Sequence, residues 1–148
     1  MTQPRIRALA LCIFHQAGKI LVNRFHDPHT QQSFFRPLGG GIDFGERSEQ
    51  AIVREIHEEL GLPIHQLRLI GTLESLFVYA GKPCHEIVQV YDARFEDPSL
   101  YQRSHLDAQE SDGAPFTASW HDSSSFTAQS PLVPEGLQDL LEQSGMLG

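Results

Sequence analysis

Residues 40–62 read GGIDFGERSEQAIVREIHEELGL, and they carry more information about fold and function than any other stretch of the chain. Glu55, Glu58 and Glu59 are spaced i, i+3 and i+4, so a helix places all three on one face. The apolar residues that gather on a different side are Ile52, Val53, Ile56 and Leu60. The segment therefore predicts an amphipathic helix with one face on a core and one acidic face.

The residues around this helix define its ends. Gly39–Gly41 precede it and allow backbone conformations and close approaches that side chains would block. Ser48 or a neighbour is expected to cap the start, Gly61 to provide a left-handed cap at the end, and Pro63 to prevent continuation. We expect a glycine loop, a helix of about 12 residues and a stop.

The acidic face needs a compensating charge. Two carboxylates about 6 Å apart repel by roughly 3 kcal/mol at an effective dielectric constant of about 20. Arg54 precedes Glu58 by four residues and is expected to pair with it, yet the cluster stays net negative. A hard divalent cation such as Mg²⁺ or Mn²⁺ would remove the repulsion, because both bind carboxylate oxygens. A solvated acidic surface is the alternative if the three glutamates are taken alone.

The surrounding residues resemble the signature of the Nudix hydrolases, G-x5-E-x7-R-E-U-x-E-E-x-G-U, in which U is a bulky aliphatic residue. The matching positions are Gly40, Glu46, Arg54, Glu55, Ile56, Glu58, Glu59, Gly61 and Leu62. One departure is the entry to the motif, where Leu38-Gly39-Gly40 replaces the usual Pro-Gly-Gly and Pro37 lies one position earlier. The resemblance implies an α/β (α+β) fold, an α/β/α sandwich around a mixed central sheet. It also implies metal-dependent hydrolysis of a nucleoside diphosphate linked to another group, X.

The resemblance assigns roles to individual residues as well. The carboxylates expected to hold Mg²⁺ or Mn²⁺ are Glu55, Glu58 and Glu59, and the carbonyl of Gly39 is a further ligand. Glu46 and Arg54 would fix the loop and orient these catalytic glutamates. The general base toward the attacking water is expected to be Glu55 or a residue on a later loop.

Nudix enzymes often carry a further acidic metal ligand downstream of the motif. The candidates in this chain are Glu74, Glu86, Glu96 and Glu110. Glu110 is favoured, for metal and substrate binding, because it lies in a polar loop ahead of the expected strand that carries Trp120. An exposed loop charge is the alternative interpretation of Glu110.

The substrate is less well defined. Tyr79 lies near the position of a tyrosine in Nudix enzymes that act on diadenosine polyphosphates, although core packing or stacking on another base would also explain it. Phe35 and Arg36 are candidates to contact a base or a phosphate, although loop packing would explain them equally well. Diadenosine polyphosphates, oxidised nucleoside triphosphates and nucleotide sugars all stay open. A catalytically silent, nucleotide-binding Nudix domain is the alternative to an enzyme.

Length and composition limit the remaining predictions about domains, partners and location. The 148 residues are expected to form one domain, 1–148, and the net charge of −8 argues against binding a nucleic-acid polymer. No apolar run approaches the roughly 18 residues of a membrane span. The two cysteines, Cys12 and Cys84, read as reduced strand residues of a cytoplasmic protein. The expected partner is a small nucleotide-type substrate, and a homodimer stays open.

The remaining pattern predicts alternating strands and helices. Strands are expected at 6–15, 19–24, 67–79, 84–95 and 116–121, and a short helix at Pro134–Glu142. Ala17-Gly18 should form a hairpin turn, and residues 97–115 are expected to be irregular. This order predicts a mixed sheet with helices on its faces.

Overall fold

A computed structural model describes residues 4–148, which form eight strands and two α-helices. The strands are β1 (Ile6–Ile13), β2 (His15–Gln16), β3 (Lys19–His26), β4 (Ser33–Gly41), β5 (Ile64–Tyr79), β6 (Lys82–Phe95), β7 (His105–Gln109) and β8 (Pro115–His121). The helices are α1 (Ser48–Leu60) and α2 (Leu137–Gln143), with short 3-10 helices at Pro98–Gln102 and Ser123–Ser125. Within these residues no helix is long and apolar enough to cross a membrane.

The strands form one sheet in the order β5-β6-β1-β4-β3-β8-β7, with β2 paired to β3. The sheet is mixed, because β1 runs parallel to β6 and antiparallel to β4. Strand β4 changes partner along its length: Leu38–Gly41 pair with β1, whereas Ser33–Pro37 pair with β3. The sheet therefore has a first half (β5, β6, β1) and a second half (β3, β8, β7), which β4 joins.

The two helices cover opposite faces of the sheet. Ala51, Ile52 and Ile56 of α1 are fully buried in a cluster that includes Ala10 and Cys12 of β1. The alternate side chains of β1 face the other way, where they join a second cluster. Its members include Leu9, Leu11, Leu137 and Leu141. This layering confirms the predicted α/β/α sandwich with a mixed central sheet.

Helix α1 agrees with the prediction in length and at both ends, where Arg47 is the neighbour of Ser48 that caps the start, and differs in the face that it buries. Gly61 adopts the left-handed conformation (φ 70°) and its N–H bonds to His57 O at 2.8 Å. Arg47 occupies the N-cap position, and its backbone N–H is bonded to Gln50 Oε1 at 2.8 Å. Val53 is 42% exposed, so its assignment to the docking face is wrong. The buried face of α1 is narrower than the predicted apolar face, because only one side of the helix contacts the sheet.

Several strand boundaries were also wrong. Residues 6–15 are not one strand: β1 ends at Ile13, and the hairpin at Ala17-Gly18 joins β2, not β1, to β3. The region 97–115, expected to be irregular, contains β7, whose Leu106 alone is fully buried. The predicted glycine loop is the end of strand β4, because Gly39–Gly41 pair with β1.

Candidate active site

Arg54 lies at the centre of the acidic cluster on α1. Its Nε and Nη2 donate to the two carboxylate oxygens of Glu46 at 2.8 and 2.9 Å. Its Nη1 donates to Glu55 at 2.9 Å and to Glu58 at 3.2 Å, and Nη2 also donates to the carbonyl of Gly41 at 3.0 Å. The paired bonds from Arg54 lower the pKa of Glu46 to about 2. A fork of this kind fixes three carboxylates and the end of β4 in one geometry.

Glu59 is the buried member of the cluster, with 7% of its surface exposed. It accepts a hydrogen bond from the backbone N–H of Gly39 at 3.0 Å. Burial, reinforced by the charges of Glu55 and Glu110, raises the pKa of Glu59 to about 8, against the opposing effect of Arg36. Burial likewise raises the pKa of Glu55. Both carboxylates are therefore destabilised in the charged form, a condition that a bound cation relieves.

The glycines of β4 allow the strand and the glutamates to approach each other. A Cβ at Gly40 would lie 2.6 Å from Oε2 of Glu55, so only glycine leaves room for that carboxylate. Gly39 has φ +142°, and a Cβ there would lie 2.1 Å from the carbonyl oxygen of Ala10. The glycines thus bring bare backbone against the acidic face of α1.

A cavity of about 460 Å³ lies between the two halves of the sheet. Gly39 and Gly41 are paired with Leu11 and Leu9, two leucines that line it, whereas Gly40 is paired with Ala10 on the α1 side. The other lining residues include Phe25, Asp27, Phe34, Arg36, Phe77, Tyr79, Glu86 and Val133. Backbone without side chains therefore separates this cavity from the carboxylates of α1.

Of the four residues predicted to contact substrate, Arg36 and Tyr79 line the cavity, whereas Phe35 and Glu110 do not. The guanidinium of Arg36 lies 5.0 Å from the ring centroid of Phe25, and its buried Nε has no hydrogen-bond partner among residues 4–148. The ring of Tyr79 meets Phe34 edge to face at 5.9 Å. Phe35 points to the opposite side, where it is 7% exposed and packs 5.4 Å from the ring of Phe126. The alternation of β4 side chains explains why neighbours face opposite ways.

Glu110 is the downstream candidate that the structure brings near the cluster, since its charge acts on Glu59. It is half-buried, and its backbone N–H bonds to the carbonyl of Ala114 at 2.7 Å in the turn after β7. Glu86 instead faces the cavity and lies 3.6 Å from Arg7. The two other candidates, Glu74 and Glu96, are exposed.

A second acidic residue was missed in the sequence. Asp107 of β7 lines a cleft of about 360 Å³ together with Glu58, Glu59 and the end of α1. The only available signal was the five-residue segment 105–109, in which a single fully buried leucine gives too weak an alternation to predict a strand. Without β7, nothing places Asp107 beside α1.

The donor set fits a hard divalent cation in its chemistry. Glu59 accepts from the backbone of Gly39, the Glu55 carboxylate lies against Gly40, and Arg54 binds both Glu55 and Glu58. Carboxylate oxygens are the ligands that Mg²⁺ and Mn²⁺ prefer. Among residues 4–148 no three acidic, histidine or cysteine side chains converge into a ready-made metal cluster. Arg54 holds two of the carboxylates instead, as an internal counter-charge.

Comparisons with known proteins identify relatives of this fold. The chain is similar in fold to a MutT NUDIX hydrolase from Burkholderia pseudomallei, with 22% identity, 94% of this chain and 98% of that chain covered, and a TM-score of 0.65. It is also similar to a NUDIX hydrolase from Nitrosomonas europaea, at 18% identity, with 98% and 92% covered and a TM-score of 0.58.

Curated relatives match a shorter segment. An RNA pyrophosphohydrolase from Shewanella denitrificans is 31% identical over 71 residues, which is 48% of this chain and 39% of that protein. The chain thus spans well under half the length of this relative and of a second RNA pyrophosphohydrolase, from Tolumonas auensis, at 38%. Residues 3–132 match the sequence model of the NUDIX domain. The chain belongs to the NUDIX family.

Proposed function

We propose that this protein is a Nudix hydrolase that cleaves a diphosphate linkage in a nucleoside diphosphate linked to X, using Mg²⁺ or Mn²⁺. The observation that carries the proposal is the juxtaposition of three groups: the glutamates ordered by Arg54, the bare backbone of Gly39–Gly41, and a cavity large enough for a nucleoside.

The residues proposed to hold the metal are Glu55, Glu58, Glu59, Glu110 and the carbonyl of Gly39. When bound, the metal supplies charge neutralisation at the diphosphate and an acidified water. Glu59 contributes a buried carboxylate whose place is fixed by the N–H of Gly39. Glu58 contributes the most exposed carboxylate of the three, with 41% of its side chain accessible, so it is free to adjust to a ligand.

Arg54 and Glu46 are proposed to act as positioning residues. Because Arg54 bonds to Glu46, Glu55 and Gly41 at once, it fixes the distance between α1 and the end of β4. Glu55 is the preferred general base toward the attacking water. It is half-buried, and burial moves its pKa upward toward the working pH of a hydrolase, which favours proton acceptance.

The cavity is proposed to bind the nucleoside. Arg36 offers a guanidinium whose buried Nε is unpaired within residues 4–148, and it lies close enough to affect the pKa of Glu59, so it is suited to contact a phosphate between base and metal. Tyr79 and Phe34 supply an aromatic wall for the base. Dinucleoside polyphosphates, oxidised nucleoside triphosphates and nucleotide sugars all present this combination of base and diphosphate.

A nucleotide screen tests the proposal. Representatives of the three substrate classes are incubated with Mg²⁺ or Mn²⁺ in H₂¹⁸O, and mass spectrometry identifies the cleavage products and which of them carries ¹⁸O. Turnover with label in a phosphate-containing product is the expected result. Glu58→Gln should lose this turnover. Its matched control is Glu49→Gln, because Glu49 lies on the first turn of α1 and is exposed, outside the cluster.

The screen also separates the hydrolase from a silent nucleotide-binding domain. A binder would hold one nucleotide tightly and leave it uncleaved with either metal. All glutamates of the cluster are present: Arg54 holds Glu46, Glu55 and Glu58, and the N–H of Gly39 holds Glu59, which favours the hydrolase.

A further inference from the structure

Asp27 is a buried carboxylate that the proposed chemistry does not use. It directly follows β3, is 6% exposed, and accepts hydrogen bonds from the backbone N–H groups of His29 at 2.8 Å and Thr30 at 3.5 Å. It also accepts from the N–H of Ala80, at 3.3 Å to Oδ1 and 3.4 Å to Oδ2. Burial alone would raise the pKa of Asp27, but these N–H groups outweigh it and hold the pKa below its ordinary value.

These bonds connect two parts of the molecule that the sheet keeps apart. The loop after β3 belongs to the second half of the sheet, and Ala80 belongs to the turn between β5 and β6 in the first half. The imidazole of His29 packs on the same turn, where a Cβ added to Gly81 would lie 3.0 Å from His29 Cε1. The halves are therefore joined through β4 and, at a second junction, through Asp27.

The second junction lies at the wall of the cavity. Asp27 lines the cavity itself, and Tyr79 immediately precedes its partner Ala80. The ring of Phe34 stacks on Phe25 at 5.3 Å and meets Tyr79 edge to face at 5.9 Å, so one aromatic wall crosses from one half to the other. Any change in the separation of Asp27 and Ala80 moves Tyr79 relative to Phe34.

We propose that Asp27 is a positioning residue that latches the β5–β6 turn to the loop after β3 and thereby holds the aromatic wall for a nucleobase. The inference rests on the proposed function for the identity of the site, because it takes the cavity to bind the base. The phosphates lie toward Gly39–Gly41 and α1, away from the latch. Asp27 therefore controls recognition of the base and not binding of the phosphates.

The test compares Asp27→Asn with Asp97→Asn. In the first variant the side-chain amide presents an N–H₂ group toward the N–H of Ala80 or loses its bonds to the loop, so the latch cannot keep all its bonds. Asp97 is the matched control, because it too is a carboxylate that accepts from a backbone N–H, that of Ser99 at 3.0 Å, but it is exposed and lies outside the cavity.

Two measurements are made on each protein with Mg²⁺ present. Hydrogen exchange followed by NMR reports the protection of the Ala80 amide, and calorimetry reports the affinities for AMP, GMP, CMP, UMP and inorganic pyrophosphate. Asp27→Asn should speed exchange at Ala80 about tenfold and weaken the best-bound nucleoside monophosphate about fivefold to tenfold. Pyrophosphate affinity should stay within about twofold, and Asp97→Asn should change neither quantity.

Other outcomes overturn the proposal. Unchanged exchange at Ala80 would show that no latch exists, and equal losses for nucleotide and pyrophosphate would show a general structural role. If the wild type bound none of the four monophosphates, the cavity would not be a base-binding site. If Asp27→Asn fails to fold, Asp27→Ser serves instead, because its shorter hydroxyl can still accept from a neighbouring N–H of the loop but cannot replace the bonds from both His29 and Ala80. Since none of these readings uses turnover, failure of hydrolysis in the nucleotide screen stays distinguishable from failure of the latch.

Discussion

Gly40→Ala perturbs the site at the point where β4 and α1 are closest. The added Cβ would lie 2.6 Å from both Cδ and Oε2 of Glu55 and 2.8 Å from Oε1. Gly40 does not have a positive φ, so alanine is compatible with the local backbone. The change therefore acts on the Glu55 carboxylate and not on the strand conformation.

The size of the effect follows from the distances. Bringing the 2.6 Å contact to an ordinary 3.4 Å requires a shift of about 0.8 Å. A misplacement near 1 Å lowers rates about 10²-fold, equivalent to about 2.7 kcal/mol in the activation free energy. The melting temperature should change by only a few degrees. Alanine lowers the conformational entropy of the unfolded chain, and this gain offsets a modest strain in the folded protein.

The assay is kcat on the best substrate from the nucleotide screen, with the melting temperature measured in parallel. Gly41→Ala is the matched control: its Cβ would lie 3.4 Å from Nη2 of Arg7, an ordinary contact with the end of a flexible side chain. Its kcat should stay within about threefold of wild type. Equal activity of Gly40→Ala and Gly41→Ala would refute the packing of Glu55 against Gly40.

Three further predictions concern the same cluster. Arg54→Lys should lower kcat about tenfold or more, since lysine cannot replace the fork that holds Glu46 and Glu55, and wild-type kcat would contradict its positioning role. The pKa of Glu59 is about 8 in the folded protein, against an ordinary 4.5. The stability that protonated Glu59 contributes is therefore complete below pH 4.5 and is lost as the pH rises through about 8. In EDTA the melting temperature should therefore fall as the pH rises from about 4.5 to about 8, and less so in Glu59→Gln; parallel curves would refute the shift. Glu110→Gln should raise the Mg²⁺ concentration needed for half-maximal rate roughly tenfold, whereas a larger effect from Asp107→Asn would transfer the downstream role to β7.

The part of the fold that local physics determines was predictable. Helix α1 was predicted because its period, its closing Gly61 and its acidic spacing all lie within residues 40–62. The strand conformation of Gly39–Gly41 was not predicted, because it depends on pairing with β1, some thirty residues earlier in the chain. Strand β7 was missed because its partner β8, and not its own pattern, gives it structure.

In the site, too, contacts within the helix were predictable and contacts between distant segments were not. The pairing of Arg54 with Glu58 follows from helical spacing and was expected, whereas its bonds to Glu46 and Gly41 depend on how the loop returns to the helix. The opposite orientations of Phe35 and Arg36 could not be assigned before β4 was recognised as a strand. The bond from Asp27 to Ala80 spans 53 residues and leaves no trace in local sequence.

Binding of Mn²⁺ followed by electron paramagnetic resonance tests the metal site most directly. The wild type, Glu58→Gln and the control Glu49→Gln are titrated with Mn²⁺, and the same samples are assayed for hydrolysis. Glu58→Gln should weaken Mn²⁺ binding by roughly a hundredfold and lower kcat in parallel, while Glu49→Gln behaves as wild type. Equal Mn²⁺ affinities and equal kcat for all three proteins would contradict the assignment of the α1 glutamates as the metal site of a hydrolase.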